Sequence, residues 1–484
     1  MNDVRKVLGE YAWGTPSSVF RTLLFMRGAL DSQNLIEFLR SNMDDVRIRY
    51  GTQFSDNVIS LYGFEDTLVF RQTVLKKELA NEYYYQHQRD HTSHTLYNYL
   101  LGWYIFENCP LVKNTLNEHF LLRRPNMEDL YFSEVWPLVS ILHDVGYAFE
   151  GSVLPTSTTD ETSGLNTGVN KANDYFTNHF WNGLRLTGEF EREKIKELLE
   201  ISTPSFSGNT LGEVSAGLCA LDTLKAVRER ACEKRNLDGF PIGRINCLCD
   251  PSGLPNDPFE LWRRHYEVYG VPSMVNRLEI LQHAYQLGQE SGLQGKAEGI
   301  KLLDHGVCSG LILINLLTLS LNVHSRLLKL SARGPGIDRE LIRRLEGAFT
   351  TRIHNPSLDP LWWWTTGVWG CAAVALHNVQ QSRDMYGLTE TELPPLELGE
   401  DPLSYLGILV DCIQEWDRPP TERTPALVGK LPLQGIDVEL STVGDRIRVK
   451  FKAEDLLNSE RAKGVRKVLN DSLVNWNEIV EILP

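Results

Sequence analysis

His143 and Asp144 stand side by side in Pro137-Leu-Val-Ser-Ile-Leu-His-Asp-Val-Gly-Tyr147, where an apolar helical run breaks into an imidazole and a carboxylate. Burying a carboxylate without a partner costs several kcal/mol. A divalent cation is the commonest reason to accept that cost, because neutral imidazole and ionised carboxylate both ligate it and the ion supplies the counter-charge. A His-Asp dipeptide alone is a weak signal, so the reading depends on whether further ligands exist. Upstream, Arg89-Asp-His-Thr-Ser-His-Thr-Leu-Tyr-Asn-Tyr-Leu-Leu-Gly102 sets His91 and His94 on one helical face at i, i+3, with Asn98 along the same stripe. Downstream, His305, His377 and Asp411 each interrupt an apolar or small-residue segment expected to be helical. Such a residue is paired, protonated or ligating. For His305 and His377 the competing reading is a core histidine hydrogen-bonded to a carbonyl. His91 reads equally as a group orienting a ligand, a substrate contact or a helix-surface residue.

The order His…His-Asp…His…His…Asp resembles the HD superfamily of metal-dependent phosphohydrolases. The likeness is carried by His94-Thr-Leu-Tyr, Leu142-His-Asp-Val-Gly, Asp304-His-Gly, Ala375-Leu-His-Asn and Asp411-Cys-Ile-Gln-Glu-Trp-Asp-Arg, spread over roughly residues 80 to 420. It implies a mainly α fold, an HD-type helical bundle. It also implies that His94, His143, Asp144 and Asp411 hold one metal, and that His305, His377 and Asp144 hold a second, with Asp144 bridging. Two divalent ions are expected, with Mn, Fe, Mg, Co, Ni and Zn not distinguished by these ligands. Such a pair lowers the pKa of a shared water and binds phosphoryl oxygens, which suits hydrolysis of a small phosphoester. Asp304 and Asn378 flank the ligands and either orient them or serve as ordinary cap residues. Arg89 and Arg418 are the cations best placed for substrate phosphate, with a structural ion pair as the alternative. One branch of the family continues its His-Asp-x-Gly motif with Lys; this chain has Tyr147, which weighs against a cyclic-di-GMP phosphodiesterase.

Helices must position these ligands. Residues 1–75 read as an N-terminal helical layer and 76–420 as the metal-binding domain. A large helical insertion lies at about 151–300, opening on a Ser- and Thr-rich loop and carrying helical patterns at 171–184, 188–201, 213–234 and 258–288. It reads either as a lid or wall of the active site or as a scaffold or oligomer interface. In Leu361-Trp-Trp-Trp-Thr-Thr-Gly-Val-Trp369, three adjacent Trp cannot share one helical stripe, so at least one is expected at a surface, groove or interface. Residues 421–484 read as a small α+β module, with period-2 alternation at 436–440 and 446–451 around a turn at Gly444-Asp445.

The 484 residues, 42% apolar, allow a sizeable core. A net charge of −14 argues against a grip on long duplex nucleic acid but admits a nucleotide, whose phosphates metal ions can hold. The eight Cys form no C-x-x-C pair, the first residues lack a signal-peptide core, and Leu311–Leu321 is too short to span a bilayer. These features point to a cytoplasmic protein that does not bind membranes, compatible with a homo-oligomer. The leading expectation is a hydrolase for a small phosphorylated substrate, a nucleotide foremost. Three rivals use the same scaffold: a single-strand nuclease, a di-iron oxygenase, and a non-catalytic nucleotide sensor signalling through the C-terminal module.

Overall fold

Apolar residues at three- and four-residue spacing dominate the chain, and most of the structure is accordingly helical. The computed structural model describes residues 2–14, 20–22, 24, 29–41, 44–68, 70–72, 74–75, 91–119, 128–147, 258–293, 305–331, 339–340, 343, 359, 362–378, 388–389, 392–414, 438–451, 463, 465–467, 469–470 and 474–483. Arg89, Asp304, Arg418 and the helical patterns at 171–184, 188–201 and 213–234 lie outside the described residues.

Strand β1 (Asn2–Asp3) leads into α1 (Val4–Gly14), α2 (Ala29–Arg40) and α3 (Asp44–Leu61). Next come α4 (His91–Asn108), α5 (Pro110–His119) and α6 (Glu128–Ser140), then α7 (Pro258–Tyr269), α8 (Pro272–Leu293) and α9 (His305–Ser331). Then come α10 (Val368–Leu376) and α11 (Pro402–Ile413), and residues 463, 465–467 and 469–470 are helical as well. The pattern at 258–288 is two helices rather than one. Gly270 takes φ +76°, which ends α7 with a left-handed residue, and Pro272 starts α8 where its missing N–H costs nothing. Among the described residues no helix is long and apolar enough to cross a membrane.

The core of the bundle is α10, which packs against α6, α9 and α11, while α4 lies across α3, α6 and α11. Every residue of α10 is buried. Where α9 meets α10, a Cβ on Gly310 would fall 2.8 Å from both the Ala375 Cβ and the Cys371 carbonyl oxygen. Only glycine permits that approach, and it brings the start of α9 beside the end of α10. Asp401 caps α11 by accepting from the Leu403 and Ser404 amides. Its carboxylate also accepts from Tyr266 Oη (2.6 Å) on α7 and from Trp369 Nε1 (2.8 Å) on α10. One side chain thus ties three helices together and satisfies two orphan amides of a helix start.

The tryptophan expectation is overturned: Trp362, Trp363, Trp364 and Trp369 are all buried. Residues Trp363–Gly367 form a π-helical turn in place of regular α-helical spacing. Its wider winding re-aims successive side chains. Trp362 turns toward Phe64, Trp363 donates to Thr318 Oγ1 at 3.2 Å, and Trp364 packs edge-on to His265.

The expected hairpin is present as β2 (Val438–Val443) and β3 (Arg446–Phe451), antiparallel around Gly444, whose φ is +61°. Two further strands extend it. β4 (Val480–Leu483) pairs parallel with β3, and β1 pairs with β2 through Asn2↔Leu440 and Asp3↔Glu439, so the sheet order is β1-β2-β3-β4. The sheet therefore joins the two ends of the chain. Cys109 anchors its turn to the helices by donating to the Asp445 carbonyl at 2.8 Å.

Candidate metal centre

The six expected ligands come from five places on the bundle and meet at one point. His94 sits inside α4, and Asp411 sits inside α11 within an apolar segment, as expected. The others lie at helix ends instead. His143 and Asp144 occupy the turn just after α6, His305 is the first residue of α9, and His377 is the residue that caps α10. Gly146 makes this junction possible: a Cβ there would lie 2.1 Å from the His305 carbonyl oxygen. Its amide donates to Ser309 Oγ at 2.7 Å, fixing the His-Asp turn to the first turn of α9.

One oxygen of Asp144 faces three imidazoles. Oδ1 lies 3.2 Å from His143 Nε2, 3.6 Å from His305 Nε2 and 3.8 Å from His377 Nε2. Oδ2 turns the other way, 3.1 Å from His91 Nδ1. Asp411 Oδ1 is 2.5 Å from His94 Nε2 and 3.5 Å from His143 Nε2. Two groups with cation-binding geometry result, His94–His143–Asp144 and Asp144–His305–His377, sharing Asp144. Asp411 adjoins the first.

The outer nitrogens explain why the inner ones converge. His143 Nδ1 contacts the Ser140 carbonyl (2.7 Å) and His377 Nδ1 the Val374 carbonyl (2.6 Å). Carbonyl oxygens only accept, so both Nδ1 atoms carry the proton. His94 Nδ1 likewise donates to Gln414 Oε1. The amide of Asn378 lies 3.4 Å from His305 Nδ1. Holding Nδ1 in this way fixes the ring orientation and turns Nε2 inward, the arrangement that metal-ligating histidines use.

Electrostatics make the same demand. Burial alone would raise Asp144 and Asp411; the neighbouring imidazoles, His143 first for Asp144 and His94 first for Asp411, pull both well below the usual carboxylate range. Burial pushes His377 down to about 3, helped by His143 and His305, so that ring is neutral. For His143 burial is outweighed by Asp144 and Asp411, which hold it up at about 10. Its Nε2 is nevertheless buried without completing a hydrogen bond, although two carboxylate oxygens adjoin it. An inward-facing nitrogen of this kind, among converging carboxylates and imidazoles, fits a divalent cation.

In the metal-free protein the His143 proton is the counter-charge of these carboxylates, so a cation must displace it. Metal uptake should therefore release a proton, and apparent affinity should fall about tenfold for each unit that the pH is lowered below the His143 pKa. Titration calorimetry in buffers of different ionisation enthalpy, between about pH 6 and 9, checks this. An affinity that does not change with pH contradicts it.

His91 touches Asp144 and stacks near Tyr147, with ring centroids 4.2 Å apart. Tyr147 in turn lies flat on His305, at 3.9 Å and 19°. The sequence assigned no role to Gln414, nor to Asn98, which it placed only on the stripe of His91 and His94. Gln414 is fully buried at the end of α11, three residues after Asp411, and this one-turn spacing was a usable signal. Asn98 Nδ2 lies 3.0 Å from His94 Nε2 and 3.3 Å from Asp411 Oδ1. In comparisons with protein families, characterised proteins and solved structures, none matches this chain.

Proposed function

We propose that the protein is a metal-dependent phosphohydrolase of the HD type, acting on a nucleotide or related small phosphoester. The observation that carries the reading is the convergence of His143, His305 and His377 Nε2 on a single oxygen of Asp144. Its support from sequence is the order in which those residues, with His94 and Asp411, follow one another along the chain. Divalent ions at such a pair of positions supply a water of near-neutral pKa and Lewis acidity toward phosphoryl oxygens.

The chain's own residues have separable parts in this reading. His91 holds Asp144 Oδ2, which leaves Oδ1 directed at the other imidazoles. Gln414 and the Ser140 and Val374 carbonyls hold the rings whose Nε2 atoms face inward. Asp411 differs from the deeper ligands in that 30% of its side chain is exposed, against 8% for Asp144 and 0% for His94. Among these ligands Asp411 is the most exposed, and on this reading an anionic substrate comes in on its side.

The test begins with metal analysis of the purified chain, followed by a panel of nucleoside mono-, di- and triphosphates assayed for phosphate release and product identity. Turnover that a chelator abolishes and a divalent ion restores is the expected result. Bound metal with no turnover of any phosphoester sinks the proposal. Iron-dependent oxygen consumption would then identify an oxygenase, and tight nucleotide binding without hydrolysis a sensor.

A further inference from the structure

Asn98 is a polar side chain in a place where polarity needs a reason. It lies one helical turn after His94 on α4, among Tyr97, Tyr99 and Leu101, and is only 1% exposed. Interior amides of this kind normally satisfy both of their ends. Here Nδ2 is spent on the two atoms that face the first cation position, His94 Nε2 and Asp411 Oδ1. The other end, Oδ1, is buried with no hydrogen-bond partner among the described residues.

The oxygen that His94 and Asn98 share decides what the amide does. His94 Nδ1 donates to Gln414 and its Nε2 lies 2.5 Å from Asp411 Oδ1, so the Nε2 proton is given to the carboxylate, and the Asn98 N–H donates to the same Asp411 oxygen. A cation at this position displaces the His94 Nε2 proton and takes the same Asp411 oxygen, and its charge repels an N–H aimed there. Turning the amide by half a rotation exchanges nitrogen for oxygen at nearly unchanged shape. It leaves the number of unpartnered amide atoms as it was and presents a carbonyl to the ion. The spacing suits this: ligands at right angles on bonds of about 2.1 Å sit roughly 3.0 Å apart, and the Asn98 amide is 3.0 and 3.3 Å from its two neighbours.

We infer that Asn98 is a further oxygen ligand of the cation position formed by His94, His143, Asp144 and Asp411, and that it biases this position toward six-coordinate divalent ions such as Mn2+ over zinc. The inference rests on the metal-centre reading above. Five protein groups exceed the four of a closed tetrahedral zinc site, whereas an octahedral ion accommodates them with a vertex left for water or substrate.

Two nearly isosteric substitutions in the full chain test it. Asn98→Asp keeps the oxygen and replaces the donor with a second oxygen; Asn98→Leu keeps the shape and loses both oxygen and donor. Metal-stripped protein is titrated with Mn2+ and separately with Zn2+ by calorimetry, with Mn2+ electron paramagnetic resonance reporting its coordination and thermal melting reporting the fold. The expected result is that N98L weakens the tightest Mn2+ equivalent by about tenfold to a hundredfold and affects Zn2+ much less, while N98D binds Mn2+ at least as well as the parent. If N98L does not fold, Asn98→Ala takes its place. Unchanged Mn2+ affinity in N98L overturns the inference, as does an N98D protein as weak as N98L, because the donor would then be what matters. An equal loss for zinc overturns the stated preference. A parent protein that binds no divalent ion removes the metal-centre reading itself, a result distinct from the others.

Discussion

Replacing Asp144 with Ala should empty both cation positions together, reducing bound metal from about two equivalents to near none, with phosphoester turnover falling by orders of magnitude. Among the described residues the carboxylate is the ligand shared by both sets: its Oδ1 adjoins His143, His305 and His377. Without it, four imidazoles are left with Asp411 as the nearest carboxylate, and His143 loses the stronger of the charges that hold its proton. Asp144→Asn, which keeps the shape without the charge, should behave the same way. The helices are held elsewhere, by the Gly310–Ala375 approach and the Asp401 network, so circular dichroism and the melting profile of the chelated protein should change little. Full metal content and full activity in either variant would defeat the assignment.

His305→Ala and His377→Ala should each lower bound metal from about two equivalents to about one, again with a large loss of turnover. Both rings direct Nε2 at Asp144 Oδ1 and at each other, 3.2 Å apart, whereas Asp411 lies against His94 and His143. The first position should therefore survive their removal. The opposite reading makes them core histidines. His377, whose Nδ1 bonds a carbonyl and whose surroundings are fully buried, is the sharper case. If it only packs, the metal count stays at two while the melting temperature drops. Elemental analysis beside thermal melting, on the same preparations, distinguishes the two outcomes.

The types and order of the candidate ligands were legible in the chain because ionisable residues are costly in apolar helical segments and therefore conspicuous there. His143, Asp144, His305, His377 and Asp411 could be picked out on that ground and His94 by its helical face and the family resemblance, and the structure gathers all six. The β2–β3 hairpin was legible for a similar local reason, its period-2 alternation around Gly444. The groups that hold the ligands were not. Gln414 is 320 positions from the His94 ring it fixes, and Asn98 acquires its meaning only when Asp411, 313 positions away, is brought beside it. The pairing of Asn2–Asp3 with β2 joins opposite ends of the chain, and the π-helical turn that buries the tryptophans departs from the regular spacing on which the contrary expectation was built. Sequence periodicity reports which face of one element avoids water. It carries no information on which faces meet, which ring nitrogen points inward or which oxygen is shared, because those are set by close approaches such as Gly310 on Ala375 and Gly146 on His305 that exist only once the helices pack.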